Sequence, residues 1–442
     1  MITKILIANR GEIACRIIKT CKRLDIQTVA LFSEADRTSL HASQADESFL
    51  VGGSRVSESY LNQLKIIEIA KQCKAGAIHP GYGLLAENAT FAKLVRDTGI
   101  IFIGPSEEVI EKMGDKIQAR EMMGNAGLPV IPGMNLINLE EKTIKVAADK
   151  VGYPLMVKAA AGGGGIGMQK VEREDDIMKA VSSVVKRAER FFADSTIYIE
   201  KYIENPRHIE AQIAGDIFGE IVAVGSRDCS IQRRHQKIME EAPPPNFSEQ
   251  ANRRLLAEAT KVGSTLNYSN VGTIEFLVDE HENSYFLEMN TRLQVEHPVT
   301  EETLGIDLVE WQIRLAESNR IENLKYNKKK ATHAMEVRIC AEDPKTFFPS
   351  PGTIKTWSFP EMEGIRYDFG VEAGTSVTPY YDPMIGKVIA YAASRNKCIE
   401  LLTRCLKESA VSGIKTNVPM ILDVLEDQRF KLGEVTTHFV NE

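Results

Sequence analysis

Phe286-Leu-Glu-Met-Asn-Thr-Arg-Leu-Gln-Val-Glu-His-Pro298 strings metal-ligating, anion-binding and proton-accepting side chains along one short segment. Read as a strand, in which side chains alternate faces, it sets Glu288, Asn290, Arg292, Gln294 and Glu296 on one face. Leu287, Met289, Leu293 and Val295 take the other. A half-buried strand with a wet polar side explains most such alternation, but the sequence just upstream argues against it here. Thr273-Ile-Glu-Phe-Leu-Val278 reads as a second strand, and the polar residues 279–284 read as the turn of a hairpin. A register symmetric about His281 and Glu282 puts Glu275 opposite Glu288, with Cβ atoms about 4.5–5.5 Å apart, where unmasked carboxylates repel. A cation between them removes that conflict. Glu275, Glu288 and the Asn290 amide oxygen are hard donors suited to Mg²⁺, which leaves its other positions to water and nucleotide phosphates. Arg292 suits a planar carboxylate-like anion, each charge-assisted bond being worth about 1.5–3 kcal/mol. Glu296 is placed to take a proton from the same ligand.

Working outward, 442 residues exceed one ordinary core and imply two to three domains. With 54 basic and 61 acidic residues, net −7, the chain has no general attraction for nucleic acid or anionic membranes. No apolar run reaches the length of a membrane span and the first residues lack a secretory pattern, so a cytoplasmic protein is expected. Seven scattered cysteines without a Cys-x-x-Cys pair suggest reduced thiols; Cys229 is read as a small packing residue.

The first 114 residues alternate short apolar runs, at Lys4-Ile-Leu-Ile-Ala8, Thr28-Val-Ala-Leu-Phe32, Ala77-Ile-His79 and Ile100-Ile-Phe-Ile103, with helix-length segments. That is the pattern of an open parallel α/β sheet. Asn9-Arg-Gly-Glu12 follows the first strand and opens a helix whose amides can hold an anion. Gly81-Tyr-Gly83 reads equally as a tight turn or a ligand loop. A small inserted unit over about 131–203 holds strands at Leu155-Met-Val-Lys158 and Ile197-Tyr-Ile-Glu200 and the run Gly162-Gly-Gly-Gly165. Such a run costs backbone entropy to order, and its simplest use is close approach to a phosphate chain, as a mobile lid. After Ala331 a third unit of short strands and a helix is expected to close over the catalytic face.

Lys116 and Lys158 are compact cations suited to nucleotide phosphates. Glu200-Lys-Tyr-Ile203 ends a strand where backbone groups can read an adenine edge. Residues 227–237 concentrate Arg227, Arg233, Arg234, His235 and Lys237, read as a fixed anion site. Arg338, in Glu336-Val-Arg-Ile339, adds a cation from another strand, with an internal ion pair to Glu336 or Glu296 as the bland alternative.

Together Asn9-Arg-Gly-Glu12, His79-Pro-Gly-Tyr-Gly83, the glycine run, residues 227–237, residues 288–301 and Tyr380-Tyr-Asp-Pro-Met384 resemble the biotin carboxylase family, in order and over essentially the whole chain. The resemblance implies an α/β ATP-grasp fold in three parts: an N-terminal open parallel α/β domain (1–114), an ATP-grasp domain (115–330) carrying the lid, and a C-terminal biotin carboxylase domain (331–442). It implies ATP contacts at Lys116, Lys158, Gly164, Gly165, Glu200, Lys201, Tyr202, Ile203, His208, Gln232, His235, Glu275 and Glu288. Metal ligation, by Mg²⁺ or Mn²⁺, falls to Glu275, Glu288 and Asn290. Bicarbonate falls to Lys237, Arg292 and the Val295 backbone, and biotin to Arg338 and Tyr82. Catalysis falls to Arg292, Glu296, Lys237 and Arg338, with Glu296 as base. The loop departs from the family in carrying Ile166 where Arg or Lys is common.

The implied activity is ATP-dependent carboxylation of biotin by bicarbonate through carboxyphosphate, the first half-reaction of an acyl-CoA carboxylase of the acetyl-CoA type that serves fatty acid biosynthesis. Ala334-Met-Glu336 has glutamate where a biotin-bearing segment has lysine, so biotin is expected on a separate carrier protein. Carboxyltransferase subunits are further expected partners, and a homodimer the assembly. Another ATP-grasp carboxylate–amine ligase, or a nucleotide-binding regulatory subunit without turnover, are the alternatives.

Overall fold

The computed structural model describes residues 1–136, 138–160, 167–192, 194–324 and 331–441. Strands β1 (Lys4–Ile7), β2 (Gln27–Ser33), β3 (Glu47–Gly52), β4 (Ala77–His79) and β5 (Ile101–Phe102) form a parallel sheet in the order β3-β2-β1-β4-β5. The expected open parallel sheet is present, with β3 added as an edge strand whose Glu47-Ser-Phe-Leu-Val-Gly52 is only half buried. Strand order reverses between β1 and β4, and the crevice beyond the carboxyl ends of such strands is where open α/β sheets take ligands. Asn9-Arg-Gly-Glu12 and Gly81-Tyr-Gly83 lie there. Their first task is to hold each other. The Asn9 amide donates to the carbonyls of Pro80 and Tyr82 at 2.7 and 2.8 Å. Gly81, at φ +65°, leaves no room for a Cβ against Asn9. Arg10 pairs with Asp36 at 2.6 Å, and the Gly11 amide faces His41. These bonds make the motif a structural clasp, and its residues also line the cleft between the sheets.

Strands β6 (Gly133–Asn135), β7 (Leu155–Ala159), β8 (Met168–Val171) and β9 (Ile197–Lys201) form a second, antiparallel sheet in the order β6-β9-β7-β8. The Glu141–Val151 and Ile177–Phe192 helices pack on it through Ile144, Ala148, Ile177 and Val184 against Leu155, Val157 and Ile199. The glycine run, with Gly164, Gly165 and Ile166, lies outside the described residues.

The largest sheet has eight strands. They are β10 (Arg207–Gly215), β11 (Ile221–Arg233), β12 (Gln236–Ala242), β13 (Asn270–Val278), β14 (Ser284–Asn290), β15 (His333–Cys340), β18 (Ile365–Phe369) and β20 (Met384–Ala392). Their order is β14-β13-β10-β11-β12-β15-β20-β18. Two short ribbons pair β16 (Gly352–Thr353) with β19 (Ser376–Val377) and β17 (Thr356–Ser358) with β21 (Ala410–Ser412). Apart from these ribbons, the strands of the expected third unit belong, among the described residues, to the central sheet. Its β15 hydrogen-bonds to β12, so β15, β20 and β18 extend the central sheet and satisfy what would otherwise be an open edge.

The hairpin pairs Glu275 with Glu288, as the symmetric count predicts, but by another route. Next to the turn Val278 faces Ser284 and Phe276 faces Phe286, a register centred on His281 alone. A β-bulge after Glu275 then inserts one extra residue, Leu287, and brings the two glutamates opposite each other. The expected strand through Val295 is shorter than read. It ends at Asn290, residues 291–296 are irregular, and Pro298 in the first turn starts the His297–Leu304 helix. Beyond Asn290, helix entry rather than strand alternation aims Arg292, Gln294 and Glu296.

Phe276 is fully buried in the cluster beneath this hairpin. Phe276→Ala is expected to cost about 3–5 kcal/mol, read as a lower urea midpoint of unfolding.

Candidate active site

A cleft of about 1140 Å³ opens between the three sheets. Its chemical centre is one ammonium. Arg234 and His235, both at positive φ, turn β11 into β12 and deliver Lys237 two residues later. Lys237 Nζ lies 2.6 Å from Glu210, 2.8 Å from Glu275 and 2.6 Å from Glu296, all three nearly or wholly buried. Glu296 is clamped from its other side by Arg338 Nη2 at 3.0 Å, and the same guanidinium holds Glu240 at 2.5 Å. Glu296 is 0% exposed and lies behind Lys237 and Arg338, which line the cleft.

These contacts decide the protonation states. Burial pushes the Glu296 carboxyl up, but Lys237, Arg338 and Arg227 together hold it well below the usual carboxylate range. Glu275 is likewise depressed, its burial outweighed by Lys237 and His208. His208, 3.1 Å from Glu275, has its pKa raised despite burial because that carboxylate favours the imidazolium. Lys237 stays protonated because its three carboxylates overcome desolvation. Glu240 goes the other way: burial and the nearby Glu296 raise it to about 7 against the pull of Arg338.

Arg292 grips a carboxylate, as its type predicts, and that carboxylate belongs to the protein. Its Nε donates to Glu87 at 2.7 Å, while Nη2 and Nη1 reach Asn290 Oδ1 at 2.9 Å and Gln294 Oε1 at 3.0 Å. Arg227 corrects the reading of residues 227–237 as a single anion site. It is wholly buried, pairs with Glu210 and donates to Gln212, Thr273 and Thr300, so it is an internal strut. Arg233 is bound to Glu342 at 2.6 Å. Cys229 packs against Glu296, and burial raises its thiol pKa well above normal, which leaves it unreactive.

The opposed glutamates do not need a metal to coexist, which revises the repulsion argument. Glu288 meets Lys116 at 3.1 Å, and Glu275 meets Lys237. Two of the three expected donors still suit a divalent cation. Glu275 and the one-third exposed Glu288 offer opposed carboxylates at the cleft, whereas Asn290 turns its amide nitrogen to Glu275 at 2.9 Å and its oxygen to Arg292 at 2.9 Å, so it would join them only after releasing Arg292.

The remaining predicted positions gather along the same cleft. Lys158 pairs with Glu200 across β7 and β9, and His208 meets Gln232 at 3.0 Å. Tyr202 stacks on His438 and shares a 3.0 Å hydrogen bond with it, and Ile203 and His235 line the wall. The ammonium of Lys201 reaches the Tyr153 carbonyl at 2.9 Å, and its backbone N–H donates to Pro132 at 2.7 Å. Tyr82, which lines the same cleft as Val295 and Arg338, donates to Glu12. Sequence reasoning missed Glu87, Glu210, Glu240 and Lys387. Two of these had a signal: His208, Glu210 and Gln212 alternate polar positions through an apolar strand, and Lys387 stands alone in Met-Ile-Gly-Lys-Val-Ile-Ala-Tyr-Ala392.

Family models match end to end: Biotin carboxylase, N-terminal domain at residues 1–110; Carbamoyl-phosphate synthase L chain, ATP binding domain at 115–324; and Biotin carboxylase C-terminal domain at 336–442. A biotin carboxylase of Halalkalibacterium halodurans is 54% identical over 440 residues, covering 100% of this chain and 97% of the relative. A biotin carboxylase–beta-gamma-ATP complex from Campylobacter jejuni superposes with TM-score 0.95 at 45% identity, covering 100% of this chain and 99% of that one. The biotin carboxylase domain dimer of Hydrogenobacter thermophilus 2-oxoglutarate carboxylase, with MgADP, ADP and bicarbonate, superposes with TM-score 0.94 at 41% identity, covering 100% and 97%.

Because Glu275 and Glu296 are depressed in the folded state, the unfolded chain binds more protons in acid. Their contribution to stability is complete above the unfolded glutamate value of about 4.3 and is lost as pH falls toward the folded values. Glu240, raised to about 7, has the opposite sign and acts only above that unfolded value. Urea midpoints measured from pH 5 downward should therefore fall, and Glu296→Gln should make that acid limb shallower.

Proposed function

The chain belongs to the biotin carboxylase family, and from that we propose how its own residues divide the ATP-dependent carboxylation of biotin. The observation that carries the assignment is Glu296 held between Lys237 and Arg338, four residues from an Arg292 that already grips a carboxylate. Bicarbonate replaces Glu87 on Arg292 and draws Lys237 from Glu296, with the Val295 backbone as a third contact. Losing that ammonium makes Glu296 a stronger base at the moment its substrate arrives. Glu296 takes the bicarbonate proton, and the oxyanion attacks the γ-phosphate of ATP, breaking its bond to ADP and giving carboxyphosphate. Positioning and charge neutralisation supply most of the rate in such transfers.

Lys116, Lys158 and His235 line the phosphate channel, and Glu200, Lys201, Tyr202, Ile203, His208 and Gln232 frame the nucleotide. Glu275, Glu288 and Asn290 would hold Mg²⁺ or Mn²⁺, which would supply charge neutralisation at the ATP phosphates. Gly164 and Gly165 are assigned to phosphate contact by family resemblance alone. Carboxyphosphate then splits to CO2 and phosphate. The phosphate takes the ureido proton of biotin, whose nitrogen attacks CO2 while Arg338 stabilises the enolate and Tyr82 flanks the ring. Segments 1–114, 115–330 and 331–442 remain our division of labour among sheet, nucleotide site and closing face.

We place the enzyme in the cytoplasm, as a homodimer that works on biotin borne by a separate carrier protein and passes the carboxyl to acetyl-CoA through carboxyltransferase subunits. No helix among the described residues is long and apolar enough to cross a membrane. Purified protein should release ADP in a bicarbonate- and biotin-dependent manner. Glu296→Gln is expected to lower kcat by about 10²–10⁴-fold, and Arg292→Ala chiefly to raise KM for bicarbonate. ATP turnover that responds to an amine and ignores biotin would refute the assignment. Reconstitution with carrier and transferase, comparing acetyl-CoA with 2-oxoglutarate and pyruvate as acceptors, tests the pathway.

A further inference from the structure

Lys387 is 0% exposed and sits in the middle of β20. Its ammonium lies 3.0 Å from Glu12 and donates to the Val295 carbonyl at 2.8 Å. The partners come from distant parts of the chain. Glu12 opens the Gly11–Arg23 helix beyond β1, whereas Val295 lies in the irregular stretch that ends at Glu296. The second oxygen of Glu12 accepts from Tyr82. Close packing fixes this geometry, since Gly370 abuts the Gly11–Glu12 backbone so tightly that a Cβ there would overlap it.

A buried ammonium costs several kcal/mol to desolvate, and an apolar side chain of similar volume usually serves stability as well or better. Lys387 faces Arg338 across the β15–β20 ladder and Asp368 on β18, and the buried Glu12, Glu336 and Asp368 carboxylates together favour its charged form. Charge balance is one reason for a lysine here. Its hydrogen bond is a second. A peptide group is planar, so a lysine that holds the Val295 carbonyl also fixes the N–H of Glu296 and the direction in which that residue leaves the backbone.

We infer that Lys387 is a positioning residue: braced by Glu12, it pins the Val295–Glu296 peptide and so sets where bicarbonate and the base meet. The inference rests on the roles proposed above for Val295 and Glu296. It also makes the Gly11–Arg23 helix a remote support of the bicarbonate site, with Tyr82 tied to the same brace.

The test compares Lys387→Met, Glu12→Gln and the double variant, reading urea midpoints together with separate KM values for bicarbonate and ATP. Lys387→Met leaves Glu12 without its cation and should be less stable. The double variant removes the unpaired charge at Glu12 and should recover part of that stability, since Asp368 keeps Arg366 while the buried Glu336 still lacks the lysine. A purely structural ion pair would then return the kinetics to normal. Positioning predicts that the double variant keeps a bicarbonate KM raised about 10–100-fold, the loss of one bond from a charged donor, with KM for ATP within about twofold of the parent. Glu12→Gln alone, which keeps the lysine–carbonyl bond but loosens its brace, should show a smaller rise and keeps the inference testable if the other two fold poorly. A bicarbonate KM unchanged in every variant that folds overturns it. Absence of bicarbonate-dependent turnover in the unsubstituted protein would instead overturn the functional reading on which it rests.

Discussion

The buried ammonium of Lys237, within 2.8 Å of three carboxylates from three different elements, is the constraint around which the rest is arranged. Taking ions out of water costs several kcal/mol each and is repaid only by close, well-directed opposite charges. Each carboxylate in the cluster has therefore recruited others: Glu210 holds Arg227, Glu275 holds His208, and Glu296 holds Arg338, which in turn holds Glu240. The layer lies between the central sheet and the His297–Leu304 helix, whose residues His297 to Thr303 are all buried. Removing one member strands its partner without water, which is why these groups stand or fall together.

The same economy explains how such a layer serves catalysis. The cations assigned to anionic substrates already hold internal carboxylates, Arg292 with Glu87, Lys116 with Glu288 and Lys158 with Glu200. In the proposed roles, substrate anions would exchange for these partners, so the donors would need little reorganisation and the site would stay electrically balanced. Glu296 is ionised and shielded behind Lys237 and Arg338, hence in the correct state to accept a proton but weak as a base while clamped. A base that strengthens as its ammonium is drawn to the substrate spends its basicity where the chemistry occurs. Lys387 extends the logic from charge to direction, since a clamp is useful only if the backbone carrying the base does not drift.

Much of this is legible in the sequence, and the exceptions have physical causes. The open parallel sheet followed from apolar runs spaced by helix-length segments, because buried parallel strands must be apolar on both faces. The Glu275–Glu288 pairing also came from counting, although a bulge at Leu287 compensated for a turn centred half a position earlier, on His281. Alternation failed past Asn290 because it presumes an unbroken strand, and Pro298 had already committed the chain to a helix. The basic run at 227–237 was split by burial: Arg227 went inside as a strut, while Lys237 reached the cleft.

By itself, the sequence determined which chemistries were available and in what order: carboxylates and an amide for a cation, an arginine for a planar anion, a glutamate for a proton, and motifs that together define the family. These depend on side-chain identity and local spacing, which the chain carries directly. Only the tertiary structure decided who neutralises whom. Arg338 meets Glu240 across 98 positions, Lys387 meets the Val295 carbonyl across 92, and Arg292 meets Glu87 across 205. A buried charge takes whichever opposite charge the fold brings within about 3 Å, and sequence distance does not enter that interaction.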